Sequence, residues 1–237
     1  MRRTSQIVVN SQFVRAQVEC QLQDSQNITT IYNIAPVVST SDTVGGHLPK
    51  REEGAVPILY VGQLSEHKGL IPLVQAYAKI RSDYPGTVLW IVGKSMYDDE
   101  FHERIIHLAQ QLGVINHIVF AGQTNPTPWY QQAVIHVLPS LFSDPAPNVV
   151  LEAKREGLPS IVFPSGGAPE LIRHKIDGFI CRERSVTALE EGLRYLLSDL
   201  SGLRAMRAAA KENSTLTFGK DRFYRLWSEV YLSTSPR

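Results

Sequence analysis

The stretch VIHVLPSLFSDPAPNVVLEA, Val134 to Ala153, decides how the rest of the chain is read. It opens on the apolar run Val134–Leu138, which has the length and composition of a buried strand. Pro139 breaks the run, a polar loop follows, and Val149–Glu156 resumes with helical spacing. Pro147 fits the first helical position, where its missing N–H costs nothing. A strand that hands over to a helix in this way is half of a βαβ unit, and the same alternation recurs on both sides. Strands are expected at Ile58–Val61, Val88–Val92, His117–Phe120, Ser160–Phe163 and Phe179–Cys181. Helices are expected at Leu70–Ser82, Asp98–Leu112, Thr127–Gln132 and Pro169–His174. Val186–Leu197, Leu203–Asn213 and Phe218–Tyr231 close the chain as amphipathic helices, read as cover for the core. Strands separated by helices imply right-handed crossovers and a parallel sheet covered on both faces. The expected fold class is therefore α/β, a doubly wound parallel sheet of the Rossmann-like kind.

Composition narrows the function classes. The chain has 237 residues, 43% hydrophobic and 20% charged, as expected of a globular protein rather than a disordered one. Lys and Arg number 24 against 23 Asp and Glu, a formal net charge of +1, so no basic field is present to hold a nucleic-acid backbone. Cys20 and Cys181 are too few for a disulfide scaffold and lack metal-ligand spacing, so they are expected to be buried, reduced thiols. No apolar run approaches the ~18 residues that a membrane span needs. Met1-Arg2-Arg3 has the charge of a signal-peptide start, but Asn10, Gln12, Arg15 and Gln17 interrupt any apolar region behind it. A cytoplasmic protein without a membrane span, nucleic-acid partner or metal site is expected.

Ahead of the regular alternation lies a short piece with its own pattern. Ile7–Val9 reads as a strand, Ser11–Leu22 as a helix with Ser11 as N-cap, and Thr29–Tyr32 as a second strand. This appendage, 1–34, is too small to fold alone. A linker or flexible loop, 35–54, rich in Pro, Ser, Thr and Gly, separates it from the body at 55–216 and a last helix at 217–237.

In open α/β sheets ligands bind outside the carboxyl ends of the strands, so the loops after each strand carry the candidate site. After the first body strand, Gly62 allows a sharp exit, Gln63 follows, and Lys68 arrives at the start of the next helix, where a cation and free amides suit a phosphate. There is no phosphate-binding G-x-x-x-x-G-K-[ST] or G-x-G-x-x-G signature. In the loop after Leu138, Asp144 and Glu152 flank a helix start at which Asn148 and Val149 offer unpaired amides to an anion. The two carboxylates are placed to accept hydrogen bonds from hydroxyls on either side of a bound diphosphate. After Phe163, Gly166 and Gly167 let the backbone approach a ligand, Pro169 suits a helix start and Glu170 complements that helix's dipole. Taken together, these loops specify a polyhydroxylated, phosphate-bearing ligand.

The set Gly62-x5-Lys68-Gly69, Asp144-x7-Glu152-Ala153, Gly157-Leu158-Pro159 and Gly166-Gly167-Ala168-Pro169-Glu170-Leu171-Ile172 resembles the group 1 (family 4) glycosyltransferases. The resemblance extends to Val8-Val9-Asn10-Ser11 and Tyr32-Asn33, similar to the end of the family's first domain, where the chain crosses into the second. It implies a GT-B enzyme that retains anomeric configuration and needs no metal or other cofactor. Lys68 would neutralise the donor diphosphate, Glu152 would bind the ribose, and Asp144 would face the donor sugar. Gly166 and Gly167 would line the same pocket, and residues around Gly93 and Gly122-Gln123-Thr124 would approach the base. The donor would be a UDP- or GDP-sugar, and the acceptor a carbohydrate or lipid-linked molecule held by an N-terminal domain or partner chain. The last helix would cross back to that domain. Residues 1–34 would be the remnant of it, so the isolated chain would be inactive alone, with its enzyme peripheral at the inner membrane surface.

Two departures stand out. Gln63 replaces the family's usual Arg, and Asp144 replaces its usual Glu. They motivate a different expectation, a non-catalytic nucleotide-sugar-binding or regulatory protein; a GT-B sugar-nucleotide 2-epimerase is a third. Among the histidines, His67 alone is placed near the site, and His136 is expected to be a satisfied buried residue. Trp129 and Tyr130 are expected to be packing residues.

Overall fold

The computed structural model describes residues 6–22, 27–34, 48, 53–95 and 99–234. Apart from Leu48, Glu53 and Gly54, the expected linker lies outside the described residues, as do Met1–Arg3 and Met96. Two short strands, β1 (Ile7–Val9) and β2 (Ile28–Thr30), pair in parallel around helix α1 (Gln12–Leu22). Ser11 caps α1, its Oγ accepting from Val14 N at 3.2 Å. The body then runs β3 (Val56–Val61), α2 (Leu70–Ile80), β4 (Thr87–Val92), α3 (Asp99–Gln111), β5 (Ile118–Gly122) and α4 (Thr127–Gln132). It continues with β6 (Ile135–Leu138), α5 (Asn148–Arg155), β7 (Ser160–Val162), β8 (Gly178–Ile180), α6 (Val186–Leu197), α7 (Leu200–Leu216) and α8 (Lys220–Thr234).

The six body strands are all parallel, in the order β5-β4-β3-β6-β7-β8. Period-two alternation sorts their side chains between the two faces. Ile58, Tyr60, Leu89, Ile91, Ile135 and Val137 pack with α2, α3 and α6, whereas Leu59, Val61, Trp90 and Val92 meet Trp129 and Tyr130 of α4. Trp90 and Trp129 contact edge to face at 5.2 Å. His136 falls on the α4 side, fully buried, with Nδ1 2.9 Å from Ser160 Oγ and Nε2 without a partner. It is therefore buried as expected but only half satisfied, and burial pushes its pKa down to about 3.

Several local expectations need correction. Pro169–His174 is no α-helix: a four-residue 3-10 turn, Ala168–Leu171, ends as Ile172 becomes extended and Arg173 N turns to Asp177 Oδ1 at 2.8 Å. Pro147 is the N-cap of α5 rather than its first helical residue. Helix α7 buries Leu203, Met206 and Ala210, but α8 buries no residue. Tyr224, Tyr231 and Leu232 of α8 are 60, 64 and 78% exposed, so this helix does not cover the core. Cys181 is buried and its thiol is pushed up to about 12, chiefly by burial, but Cys20 is exposed on α1.

An ionic knot ties α5 to the C-terminal helices. Asp177 is fully buried and accepts from Arg173 Nε at 2.6 Å and from Asn213 Nδ2 of α7 at 2.9 Å. Lys154 of α5, 1% exposed, lies 2.9 Å from the same Asp177 oxygen and 5.8 Å from the Phe218 ring centroid. Its Nζ makes an ion pair there without a directed hydrogen bond. Burial pushes the lysine down, while the cations around Asp177 outweigh its own burial and hold that carboxyl down. Asp177→Ala would leave Lys154 buried and unpaired, a change that costs about 3–5 kcal/mol in such sites. Lys154→Met should cost less, because Asp177 keeps Arg173 and Asn213. Urea unfolding of the two variants checks this; equal losses would show that the lysine's charge is not what the knot compensates.

Candidate functional site

Strand order places the site. The winding of the strand order reverses between β3 and β6, which are parallel hydrogen-bond neighbours though distant in sequence. The loops that leave their carboxyl ends must therefore separate to opposite faces, opening a crevice between them. Gly69, at φ 74°, ends the 3-10 turn Glu66–Lys68, and a Cβ there would collide with the Pro139 carbonyl. The His67 carbonyl accepts from Leu141 N at 2.8 Å and Phe142 N at 3.2 Å, stitching one loop to the other. This is the role found for His67, whose ring also lies 6.2 Å from that of Phe142.

Lys68 and Asp144 meet across this seam, Nζ to Oδ2 at 3.1 Å, each about a quarter exposed. Asp144 also accepts from Ala146 N at 3.3 Å. Behind it, Gly167 N donates to the Asp144 carbonyl at 2.9 Å, and Gly166, at φ 57°, lies where any Cβ would strike the Asp144 backbone. These two glycines thus seat Asp144, a more specific reason for their small size than lining a pocket.

Helix α5 begins just beyond. No side chain caps it, so the amides of Asn148 and Val149 lack intrahelical acceptors. The Asn148 side chain is engaged, Oδ1 accepting from Asn33 Nδ2 at 3.1 Å. One turn in, Glu152 is only 8% exposed and its Oε2 accepts from the Tyr130 hydroxyl at 3.0 Å. Tyr130 is therefore more than packing: it fixes the carboxylate rotamer from beneath. Sequence reasoning missed it because the two residues are 22 positions apart and nothing in α4 marks a hydroxyl aimed at α5.

The remaining candidates converge at the far side of the crevice. Gly62 N donates to Val92 O at 3.0 Å, and Gly93 N donates to Gly122 O at 2.9 Å. Gly93, Lys94, Gly122, Leu64 and Phe120 line a cavity of about 570 Å³ over the ends of β4 and β5, within the size range of small-molecule sites. Gln63 is half-buried and its carbonyl accepts from the Tyr60 hydroxyl at 2.7 Å, whereas Gln123 is exposed on the rim. Another cavity, of about 440 Å³, lies by α6 and α7, but its carboxylate, Asp199, is spent capping α7. Among the described residues no cluster of three His, Cys, Asp or Glu could hold a metal ion, and no described helix is long and apolar enough to cross a membrane.

The sequence profile described as glycosyl transferases group 1 matches residues 49–214. The chain belongs to that glycosyltransferase family. Similar curated proteins include an uncharacterized glycosyltransferase of Haemophilus influenzae, 33% identical over 60% of this chain and 39% of that protein. A glycogen synthase of Mycobacterium tuberculosis is 29% identical over 76% of this chain and 43% of the enzyme. The same organism's GDP-mannose-dependent alpha-(1-6)-phosphatidylinositol monomannoside mannosyltransferase is 32% identical over 65% of this chain and 42% of the enzyme. The fold matches Anabaena Alr3699/HepE, solved in complex with UDP, with a TM-score of 0.86 at 20% identity over 98% of this chain and 65% of that one. The chain thus spans less than half the length of these curated relatives. The six-stranded parallel sheet flanked by helices has the fold of the GT-B glycosyltransferases it matches.

Glu152 is the most costly group in the site. Burial pushes its carboxyl up, while the Tyr130 hydroxyl and Arg155 pull it partly back. A carboxyl raised on folding contributes stability only while protonated and loses it as pH rises through the folded pKa. Glu152→Gln is therefore expected to raise the thermal midpoint at pH 7, with the gain vanishing below the ordinary glutamate pKa of about 4.3. In Tyr130→Phe, the Glu152 titration followed by NMR should move further up. A midpoint difference that ignores pH would show that the carboxylate bears no desolvation cost.

Proposed function

We propose that this chain is the donor-binding part of a retaining hexosyltransferase that uses a nucleotide sugar. The observation that carries the reading is the Lys68–Asp144 pair at the switch point, beside the uncapped start of α5. On arrival of the donor, the diphosphate takes Lys68 from Asp144, and Asp144 turns to the hydroxyls of the sugar. As the bond from the anomeric carbon to the diphosphate oxygen breaks, negative charge grows on the leaving group. Lys68 and the amides of Asn148 and Val149 face that charge and stabilise it. Glu152, held by Tyr130, accepts from the ribose hydroxyls. The base occupies the cavity between Gly93 and Gly122, with Gln123 at its rim. No metal is called for in this arrangement.

Relatives favour this donor class. HepE was solved with UDP-glucose as well as UDP, and one mannosyltransferase relative is named for GDP-mannose. The acceptor, a carbohydrate or lipid-linked molecule, is assigned to the rest of a GT-B architecture, so the isolated chain binds donor without turnover. Gln63 favours a second reading, nucleotide-sugar binding without catalysis, because it leaves Lys68 as the one Lys or Arg among Gly62–Gly69.

Calorimetric titration of UDP, GDP and ADP against the chain tests the proposal. One diphosphate should bind selectively, and Glu152→Ala should abolish its binding. A hydrogen bond to a charged group is worth about 1.5–3 kcal/mol, so Lys68→Ala should weaken the diphosphate ~10- to 100-fold. The matching nucleoside should bind both proteins alike. Equal loss of nucleoside and diphosphate would remove Lys68 from the phosphate subsite.

A further inference from the structure

Glu170 does not complement its own turn, as its position after Pro169 would lead one to expect. Its carboxylate reaches α1, 158 residues away, and receives Gln12 N on Oε2 and Phe13 N on Oε1, both at 2.7 Å. Helix α1 has no acidic residue in its first turn, so Glu170 supplies both the acceptors for its first amides and the charge its dipole attracts. A third donor, the Tyr32 hydroxyl from just beyond β2, reaches Oε2 at 2.9 Å. Burial first, and then this carboxylate, push the Tyr32 phenol up to about 12, so it remains a donor throughout the working pH range. The Tyr32 ring in turn stands edge to face on Phe218 at 5.6 Å, ahead of α8.

The turn that carries Glu170 is also the one that seats Asp144. Glu170 N donates to Gly167 O at 3.2 Å, and Gly167 N donates to Asp144 O at 2.9 Å. A Cβ at Gly167 would collide with the Pro145 carbonyl and lie 3.2 Å from Ser11 Cβ, the residue that caps α1. The stretch 165–171 thus contacts both the start of α1 and the loop that presents Asp144.

We propose that Glu170 is the latch that clamps helix α1 and the β1–β2 pair (residues 6–22 and 27–34) onto the body, and that through its turn this docking sets the position of the Asp144 backbone. In a two-lobed transferase this links the approach of one lobe to the geometry of the donor-sugar carboxylate in the other. Glu170 touches no reacting atom in this scheme; it is a positioning residue. That consequence for transfer rests on Asp144 facing the donor, whereas the latch itself does not, so each can fail without the other.

Amide hydrogen exchange on the 237-residue chain, wild type against Glu170→Gln, tests the latch. The isosteric amide keeps one acceptor oxygen for three donors and loses the charge. Gln12 and Phe13 amides should exchange at least tenfold faster, Gly167 should follow, and amides of β3, β4 and β6 should be unchanged. Tyr32→Phe, which keeps the ring on Phe218 and removes one donor, should give a smaller change at the same amides. Unaltered exchange at residues 12 and 13 would overturn the latch. Release of those amides with Gly167 unmoved would overturn its link to Asp144. Uniform acceleration across the sheet would make Glu170 a general stabilising residue and overturn both.

Discussion

Everything in the candidate site depends on a backbone contact, the closeness of the loop after β3 to the loop after β6. Strand order makes β3 and β6 neighbours, and the carbonyl of His67 then ties the second loop to the first through Leu141 and Phe142. Gly69 is what lets the chains approach so far, since even a methyl group would meet the Pro139 carbonyl. With the seam closed, Lys68 and Asp144 have no choice but to face each other, though they lie 76 positions apart. The chemistry of the pair is therefore a consequence of main-chain geometry, and its side chains could be exchanged more readily than the glycine behind them.

Helix α5 shows how such a site is held. Within three residues it carries a buried carboxylate at Glu152 and a buried ammonium at Lys154, each disfavoured by desolvation. The lysine is compensated by Asp177, and the aspartate by Arg173 and Asn213, so α5 is anchored on the side away from the crevice. Among the described residues Glu152 has the Tyr130 hydroxyl and the influence of Arg155. One end of this asymmetry is a structural knot in which each buried charge has an opposite partner. At the other, a carboxylate is kept short of partners in a place where hydroxyl donors would complete it.

Periodicity made the fold class legible because the strands read as apolar runs between amphipathic helices, and β3, β4 and β6 are buried on both faces as a parallel sheet requires. Loop chemistry likewise pointed to Lys68 and Asp144, in the loops after β3 and β6, and to Glu152, in the first turns of α5, as candidates, and the structure brings Lys68 and Asp144 together. What remained hidden were pairings across the chain. Tyr130 beneath Glu152 and Glu170 on α1 are long-range contacts whose residue types are ordinary in their own segments. Local pattern also misled at Pro169, where a helix start became a single 3-10 turn because Arg173 turns to Asp177 instead of extending it. Helix α8 misled for a different reason. An amphipathic stripe shows that a face is apolar, not that this chain covers it, and here Tyr224 and Tyr231 remain exposed.

The two departures from the family pattern act on different quantities, Gln63 on the charge of the seam and Asp144 on the reach of its carboxylate. With Arg in place of Gln63, two cations would face one carboxylate, leaving the seam net positive before a diphosphate arrives. Among the described residues Lys68 is the cation paired with Asp144, so the pair is neutral and long-range attraction for an anion is weaker. In the proposed donor site a diphosphate would displace a partner rather than fill a vacancy, and the amides at the start of α5 would be the part of the site that no carboxylate occupies. Shortening Glu to Asp works in the opposite sense. The shorter arm reaches less far over the crevice, and Ala146 N remains on its Oδ1 from its own side, so it yields Lys68 at a smaller cost in lost contacts. Under the donor-binding reading proposed above, preference for a phosphate would then rest on the backbone amides at the start of α5, which substitution at position 63 does not touch.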